Sequence, residues 1–288
     1  MKQKSTKKMT PLRETVYRFA KNKISLIGLA IVILIIFVII FGEQISPYAK
    51  GVDQDIMNRL QGASREHLMG TDGYGRDIFT RVIHGTKYTM LIAFPSVIGA
   101  QIIGSILGAL AAFYSRWLDD VLMRILDIFQ AIPGMLLSLA VVAVLGSSLP
   151  NLVIAMMISR IPGATRSGRA VMLRLVGQEH IDAARSYGST DAQLIFRHVI
   201  PNAIGPIIVD LSIALSATIL QVSSLSYIGL GVQPPTPEWG VLLSEAREYM
   251  RSAPHTIVFP GIAIALAALA FNLVGDGLRD ALDPRLRD

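Results

Sequence analysis

The sequence predicts an all-α integral membrane protein with six transmembrane helices. Its composition is 52% hydrophobic and only 17% charged, with a mean hydropathy of +0.50. These values argue against a disordered chain or an ordinary soluble domain. A helix needs about 20 apolar residues to cross a hydrocarbon core of about 30 Å, and suitable uncharged runs recur along the chain. The runs are 24–42, 88–115, 128–159, 211–237 and 252–275, the last with His255 as its only ionisable group.

The N-terminal segment, 1–23, is strongly basic, and the positive-inside rule therefore places it in the cytoplasm. The apolar run at 24–42 is longer than the apolar region of a signal peptide, about 7–15 residues, and no Ala-x-Ala site follows it. We expect a retained anchor helix that crosses outward. The basic residues of 1–23, which outnumber the single acid Glu14, are Lys2, Lys4, Lys7, Lys8, Arg13, Arg18, Lys21 and Lys23.

Residues 43–87 balance their basic and acidic side chains, which suits an external loop. The glycines at 70, 73 and 75 admit a phosphate-binding loop, but no Lys-Ser/Thr follows at Walker spacing. The favoured interpretation is a turn-rich surface element. It leads into an amphipathic stretch, 78–84, at the membrane face.

Helices two and three are expected at 88–114 and at about 119–146. Gly104 and Gly108 form a GxxxG pair on helix two, a spacing that lets another helix approach closely. On helix three, Arg124 is spaced to pair with either Asp120 or Asp127 on the same helical face. These residues suit a proton relay as well, but their position near the cytoplasmic end favours a structural pair.

Helix four is expected from about Asn151, with Arg160 inside the expected span and Pro162–Gly163 interrupting it. Two placements of Arg160 stay open. It faces a water-filled cavity or the bundle interior, or the helix is short and the side chain reaches out to the interface.

Helices five and six are expected at 203–224 and 254–276, with a short outer surface helix at 241–251 between them. A charge at Asp210 is costly in an apolar helix, so we expect this side chain to pack against a partner helix. The alternative is that it lines a pathway through the membrane. Helix six carries Asn272 and Asp276 near its end, and 282–288 form a cytoplasmic tail.

Between helices four and five, residues 177–202 form a polar island that predicts a hairpin of two short helices. Gly188 is placed to close the first helix in the left-handed conformation, and Thr190 with Gln193 matches a capping box. Pro201 stops the second helix or begins the next one. Ala183 and Ala184 leave a smooth spot where another surface can approach.

This hairpin resembles the EAA loop of inner-membrane subunits of ABC importers. Asp182 for Glu, His198 for Ile and Ile200 for Leu depart from that signature, while its spacing is intact. The run Gly-Thr-Asp-x-x-Gly-Arg-Asp at 70–77 and the C-terminal segment resemble the dipeptide/oligopeptide permease family. The matching positions of the EAA signature are Asp182, Ala183, Ala184, Gly188, His198, Ile200 and Pro201.

The resemblance implies a type I ABC importer permease fold with a cytoplasmic EAA coupling loop, in the inner membrane, with both termini cytoplasmic. It implies one half of a heterodimeric pore that works with a second permease subunit, two ATPase subunits that bind ATP and Mg²⁺, and an external solute-binding protein. The solutes would be peptides, with nickel or another small solute as the alternative. The implied coupling residues are Glu179, Asp182, Ala183, Ala184, Gly188 and Pro201.

The sequence also limits the chemistry. No Walker A, HExxH or GxSxG motif occurs, so we expect a transport subunit and not an enzyme. Five scattered histidines and no cysteine predict no metal site and no bound cofactor. The net charge of +6 fits basic cytoplasmic loops, without nucleic-acid binding.

Two other classes of function remain. A proton-coupled secondary transporter would use Asp127, Arg160 and Asp210, and a membrane scaffold would bind a partner without transport. Neither the hairpin nor its spacing is explained by a proton-coupled mechanism. The candidate intramembrane polar residues are Asp127, Arg160, Asp210, Asn272 and Asp276.

Overall fold

Helices make up the regular structure of residues 11–114 and 116–283, the parts of the chain that this computed structural model describes. In these ranges the only β-pairing is an isolated bridge between Thr71 and Asp77. The predictions for Lys2, Lys4, Lys7 and Lys8, and for 284–288, concern residues outside the described ranges.

The chain begins with helices α1, Pro11–Lys21, and α2, Lys23–Ile45. The Asn22 side chain separates them, because it accepts hydrogen bonds from the backbone N–H groups of Ile24 and Ser25 and so caps α2. The sequence analysis predicted α2 but not α1.

Residues 46–77 form a loop with two short 3₁₀ turns, and α3 then runs from Ile78 to Phe113. Asp77 starts α3 by accepting a 2.8 Å hydrogen bond from the backbone N–H of Thr80. The predicted amphipathic stretch 78–84 therefore forms the first turns of α3, and this helix begins ten residues before the predicted start at 88. Pro95 lies inside the helix without ending it.

The single helix predicted over 119–146 is wrong. The structure has α4, Arg116–Gln130, and α5, Gly134–Leu145, which meet at 82°. Pro133 takes an extended conformation with φ −52° and ψ 130°. Proline lacks an N–H and disfavours helical geometry in the residue before it, which explains the break.

The interruption predicted at Pro162–Gly163 is also wrong, because α6 runs continuously from Leu149 to Val176. Nearby hydroxyls bond to backbone carbonyls, such as Thr165 Oγ1 to Ile161 O at 2.8 Å. Membrane helices tolerate prolines in their interior. Helix α6 lies parallel to α3, since Gly104 contacts Ala164 and Gly108 contacts Gly168 and Arg169.

The remaining elements begin with α7, Glu179–Ser186, and α8, Asp191–Gln193, followed by a π-helical stretch, Leu194–Val199, and α9, Ile200–Tyr227. Next come α10, Trp239–Ala246, with a 3₁₀ turn after it, and α11, His255–Leu282. Pro201 lies in the first turn of α9, so it begins that helix. Helices α9 and α11 are each longer than their predicted counterparts.

Four helical segments of the described chain are long and apolar enough to cross a membrane: 23–45, 78–113, 191–227 and 255–282. The bent pair α4–α5 gives a fifth if it is one span. Helix α6 is not among them, so the predicted count of six is not reached on length and composition. Its alignment with α3 nevertheless places it inside the bundle.

The helix ends define two faces of the bundle. Gly277 of α11 contacts Ser25 of α2, and Gly205 of α9 contacts Leu282. The start of α2 and the end of α11 therefore lie on the same face as the 177–202 hairpin, which we call the hairpin face. The opposite face carries the 46–77 loop and the segment 228–254, and we call it the loop face.

Candidate functional site

The 177–202 hairpin is built by local capping. Gly188 has φ +85°, a left-handed conformation that glycine adopts without strain. The backbone N–H of Gln193 donates to Thr190 Oγ1, and the Gln193 side chain accepts from the Thr190 backbone N–H. This is the capping box that the sequence predicts.

One side of the hairpin is packed and the other is free. Its buried side chains, Ile181, Leu194 and Val199, join an apolar cluster with residues near the ends of α3 and α6, among them Ala109 and Met172. Ala184 is half-buried against the same cluster. The hairpin is therefore fixed to the ends of two long helices.

The free side of the hairpin carries two large aromatic residues. Tyr187 is 93% exposed and Phe196 is 72% exposed, with Asp182 and Ala183 exposed nearby in the sequence. The two alanines of the motif thus differ, because only Ala183 belongs to the open surface. Exposed aromatic side chains are enriched at protein–protein contacts. The other predicted coupling residues, Glu179, Gly188 and Pro201, are exposed as well.

A cavity of about 470 Å³, open to the surface on one side, lies between α3, the α4–α5 break, α6 and α9. The break contributes Pro133 and Gly134 to its wall. Gln221 of α9 holds this wall in place, since its Nε2 donates to Ser138 Oγ at 2.9 Å and to Gly134 O at 3.3 Å. The break between α4 and α5 therefore forms part of the cavity wall.

Two of the predicted intramembrane residues meet at this cavity. Arg160 lines it from α6 and Asp210 lines it from α9. The Ser167 hydroxyl of α6 donates to Asp210 Oδ2. Asp210 thus packs against a neighbouring helix and lines the cavity, which unites the two alternatives of the sequence analysis. Of the two placements left open for Arg160, the structure has the one that faces a cavity.

Asp127, Asn272 and Asp276 do not line the cavity. Asp127 pairs with Arg166 of α6, both side chains being about half exposed. Asn272 and Asp276 are exposed on α11. The five predicted polar residues therefore do not form one site.

The predicted pairing of Arg124 with Asp120 or Asp127 is wrong. Arginines of α6 take the carboxylates of α4 instead, and Arg169 makes a bidentate contact with Asp119, with Nε to Oδ1 at 2.5 Å. Within the described ranges no ion pair of Arg124 is found. The position of α6 beside α4 explains the difference, because it brings Arg166 and Arg169 into contact with these carboxylates.

The three glutamines of the cavity wall, Gln101, Gln130 and Gln221, were not predicted from the sequence. Gln101 is only 5% exposed, and its Nε2 has no hydrogen-bond partner in the described ranges. The available signal was an amide side chain inside a run without charges. A search restricted to charged residues does not detect it.

The loop face contains a buried charge cluster that the sequence analysis also missed. Arg81 of α3 is 1% exposed, and its Nη1 contacts Asp72 Oδ2 at 2.5 Å and Glu245 Oε2 at 2.7 Å. Arg76 bridges the same two carboxylates at 2.7 and 2.9 Å. We call these four residues the charge cluster. They connect the 46–77 loop to α3 and α10.

Glu238, the N-cap of α10, is fully buried beside α3. Its carboxyl accepts from Thr89 Oγ1 at 3.0 Å and from the backbone N–H of Val241 at 3.2 Å. Desolvation raises the pKa of Glu238, and the hydrogen bonds oppose this shift. The next residue, Trp239, donates from Nε1 to Val82 O at 3.0 Å, so α10 is clamped to the first turns of α3.

Comparison with known families gives two matches. Residues 104–288 match the family described as binding-protein-dependent transport system inner membrane component. Residues 10–63 match the N-terminal transmembrane domain of oligopeptide transport permease C. Together the two matches cover α2 and most of the helical bundle.

Curated relatives match nearly the whole chain. The dipeptide transport system permease protein DppC of Alkalihalophilus pseudofirmus is 43% identical over 281 residues, which cover 97% of this chain and 91% of the relative. The glutathione transport system permease protein GsiD of Pectobacterium atrosepticum is 42% identical over 280 residues, 96% and 92% of the two chains. GsiD of Escherichia coli O157:H7 is 44% identical over 278 residues, with the same coverage.

Solved structures agree on the fold. A chain in a crystal structure of the MetNI methionine ABC transporter, in inward-facing conformations, matches with a TM-score of 0.60 over 70% of this chain and 96% of that chain. A second crystal form gives 0.58 over 71% and 97%. At 17% sequence identity this likeness shows the fold alone, and it confirms the predicted importer permease fold.

Proposed function

The chain belongs to the family of binding-protein-dependent transport system inner membrane components, a multi-pass inner-membrane family, and we propose that it forms half of the pore of an ABC importer for peptides. A second permease subunit completes the pore, and two ATPase subunits bind ATP and Mg²⁺. An external binding protein delivers the solute. This chain then provides the conduit and hydrolyses nothing itself.

The hairpin is the observation that carries this proposal. Its outer surface presents Ala183, Tyr187 and Phe196, and its inner side is packed on the ends of α3 and α6. Its second arm continues through the π-helical stretch into α9. Because α3, α6 and α9 also line the cavity, a displacement of α7 by a bound ATPase would be transmitted to the cavity walls.

Peptides are the solute class that the relatives favour. The named relatives belong to transport systems for dipeptides and for glutathione, both of them short peptides. The cavity of about 470 Å³ has room for a solute of this size and offers polar groups on several helices. The nickel alternative gains no support from the names of these relatives.

In the proposed orientation the hairpin face is cytoplasmic and the loop face is external. Six arginines lie between 160 and 202, against three acidic residues, which agrees with the positive-inside rule. Both ends of the described chain then lie on the cytoplasmic side. A proton-coupled mechanism through Asp127, Arg160 and Asp210 is not favoured, because Asp127 pairs with Arg166 away from the cavity wall.

A single substitution on the hairpin tests the docking of the ATPase. Ala183→Arg places a long charged side chain on the open surface, and we expect the yield of ATPase that co-purifies with the tagged permease to fall at least tenfold. A buried unpaired charge at an interface costs several kcal/mol, on the order of 2–5, so this loss is a lower bound.

Ala170→Arg is the matched control, because Ala170 is an exposed alanine on α6, outside the hairpin. We expect this variant to retain the wild-type yield of ATPase. Normal co-purification of the Ala183→Arg variant would contradict the assignment of the hairpin as the docking site.

A further inference from the structure

The cavity contains an arginine that differs from its neighbours on α6. Arg166 pairs with Asp127 and Arg169 pairs with Asp119. In the described part of the chain, by contrast, no hydrogen bond or ion pair satisfies the guanidinium of Arg160, which lines the cavity wall. A charge inside a membrane is costly, and such residues mark solute pathways. Arg160 is therefore available to an anion inside the cavity.

Asp210 is a carboxylate on the neighbouring helix α9 that lines the same cavity. The hydroxyl of Ser167 donates to its Oδ2, which leaves the other oxygen without a hydrogen bond from the described residues. A guanidinium and a carboxylate, each with hydrogen-bonding capacity that the described residues do not use, thus line one cavity.

The two charges lie at different depths in the bundle. Arg160 follows the start of α6, on the loop face, by eleven residues. Asp210 lies toward the hairpin face, because Gly275 contacts Ser212 and Gly277 contacts Ser25 near the start of α2.

The two charges are also separated along the bundle. Ser167, which fixes the level of Asp210, follows Arg160 by seven residues on the same helix. This spacing corresponds to about 10 Å along the axis of α6. An extended peptide of two or three residues spans at most about 7–10 Å. This offset along the axis is of the same order as the length of a short peptide.

We propose that Arg160 binds the terminal carboxylate of a peptide in transit and that Asp210 binds its terminal ammonium group. This assignment rests on the proposed function and adds a recognition rule to it. The cavity selects short peptides by their free ends, and side chains contribute little.

The chemistry of both ends supports this rule. A guanidinium donates two parallel hydrogen bonds to a carboxylate, and such charge-assisted bonds are roughly twice as strong as neutral ones. Every peptide with free ends carries both charges, whatever its sequence. A cavity that recognises only these ends can therefore pass many different peptides and reject blocked ones.

The test measures binding to the permease without the external binding protein, whose own specificity would mask the result. The complete membrane complex with its ATPases is placed in lipid nanodiscs. Radiolabelled trialanine is then bound to it, and unlabelled trialanine, its C-terminal amide and its N-acetyl derivative compete. We expect each blocked peptide to bind at least tenfold more weakly than trialanine, because each loses a charge-assisted contact.

Two variants make the prediction specific to each end. In Arg160→Gln, trialanine and its amide are expected to bind equally, while the N-acetyl derivative stays weaker. In Asp210→Asn the pattern reverses, so that only the amide stays weaker. Arg174→Gln is the control, because Arg174 is exposed on the same helix outside the cavity, and it should retain the wild-type affinities. General misfolding cannot produce two opposite patterns.

Other results would overturn the assignment. The assignment is contradicted if the Arg160→Gln variant keeps the wild-type ratio of affinities for trialanine and its amide. It is also contradicted if trialanine shows no saturable binding. ATP-driven uptake of peptide into proteoliposomes that contain the binding protein tests the proposed function separately. If peptide is taken up but trialanine and its blocked derivatives bind the complex equally, only the role of Arg160 and Asp210 is rejected. If no peptide is taken up, the peptide importer itself is rejected.

Discussion

Gly104 shows how one missing side chain sets the distance between two helices. A Cβ atom at this position would lie 2.6 Å from the Cβ of Ala164 and 2.7 Å from the backbone of Ala164 and Thr165. Real Cβ atoms are not found so close to other atoms, so α3 and α6 touch here only because position 104 is glycine. The GxxxG spacing in the sequence therefore marks a true helix contact.

Gly104→Ala should lower the stability of the purified protein in detergent by about 1–3 kcal/mol, because the parallel helices must separate to admit the methyl group. Thermal unfolding at a fixed detergent concentration measures the change. Gly261→Ala is the matched control, because a Cβ there meets nothing within 4 Å. Equal unfolding midpoints for the two variants would refute a tight contact at Gly104.

Residues of the cavity differ in how far the sequence predicts them. Arg160 and Asp210 stand out as charges within apolar helices, so the sequence identifies both as candidates. Gln101 and Gln221 do not stand out, because neutral amides are common at helix contacts as well. Whether Arg160 reaches a cavity or the interface depends on which helices surround it, and one chain segment does not contain this information.

At the scale of helices, local capping explains what was predictable. Gly188, Thr190 and Gln193 act within a few residues of each other, so the two arms of the hairpin follow directly from the sequence. The ion pairs of α4 do not follow, because Asp119 and Asp127 pair with arginines 39 to 50 residues away. Pairing with a residue one turn away could be predicted from the sequence, but the position of α6 beside α4 could not.

Prolines illustrate the same limit. Pro95, Pro162, Pro206 and Pro260 lie inside continuous helices, whereas Pro133 lies in the break between α4 and α5. The side chain of Gln221 bonds to Gly134 O and Ser138 Oγ next to the break. This contact from a distant helix stabilises the break between α4 and α5, and it cannot be predicted from the residues around Pro133.

The charge cluster makes a testable connection between the 46–77 loop and α10. Glu245→Gln removes one carboxylate from two buried arginines, and breaking such a pair costs about 3–5 kcal/mol. We expect the loop to open locally, which should raise the rate of tryptic cleavage after the exposed Arg59 and Arg65 at least tenfold.

Glu248→Gln provides the control, because Glu248 is exposed three residues farther along the same segment. Its cleavage rate should equal that of the wild type. A Glu245→Gln variant with an unchanged rate would show that the cluster does not hold the loop.

At the scale of the whole molecule, the glycine contacts define the direction of every long helix. Helices α3 and α6 run parallel, and α11 runs antiparallel to both α2 and α9. The hairpin and both ends of the described chain consequently share one face. The orientation proposed for this face places the basic loops in the cytoplasm.

Cysteine labelling tests this orientation, and the chain is suited to it because it contains no cysteine. Ser64→Cys, in the exposed 46–77 loop, should react with a membrane-impermeant thiol reagent in intact spheroplasts. Asp120→Cys, at the exposed start of α4 on the hairpin face, should react only after the membrane is permeabilised. The opposite pattern would invert the proposed topology.

The burial of the charge cluster also has a consequence for ionic strength. At an ionic strength of about 0.10–0.15 M, dissolved salt largely screens exposed charges that are more than about 8–10 Å apart, but it acts much less on buried pairs. Arg76 and Arg81 are 2% and 1% exposed, so raising the salt concentration should leave the folded shape of the 46–77 loop intact. If salt changes the rate at which another protein binds to the loop face, the change then comes from exposed charges around the charge cluster. The buried cluster itself keeps the same structure.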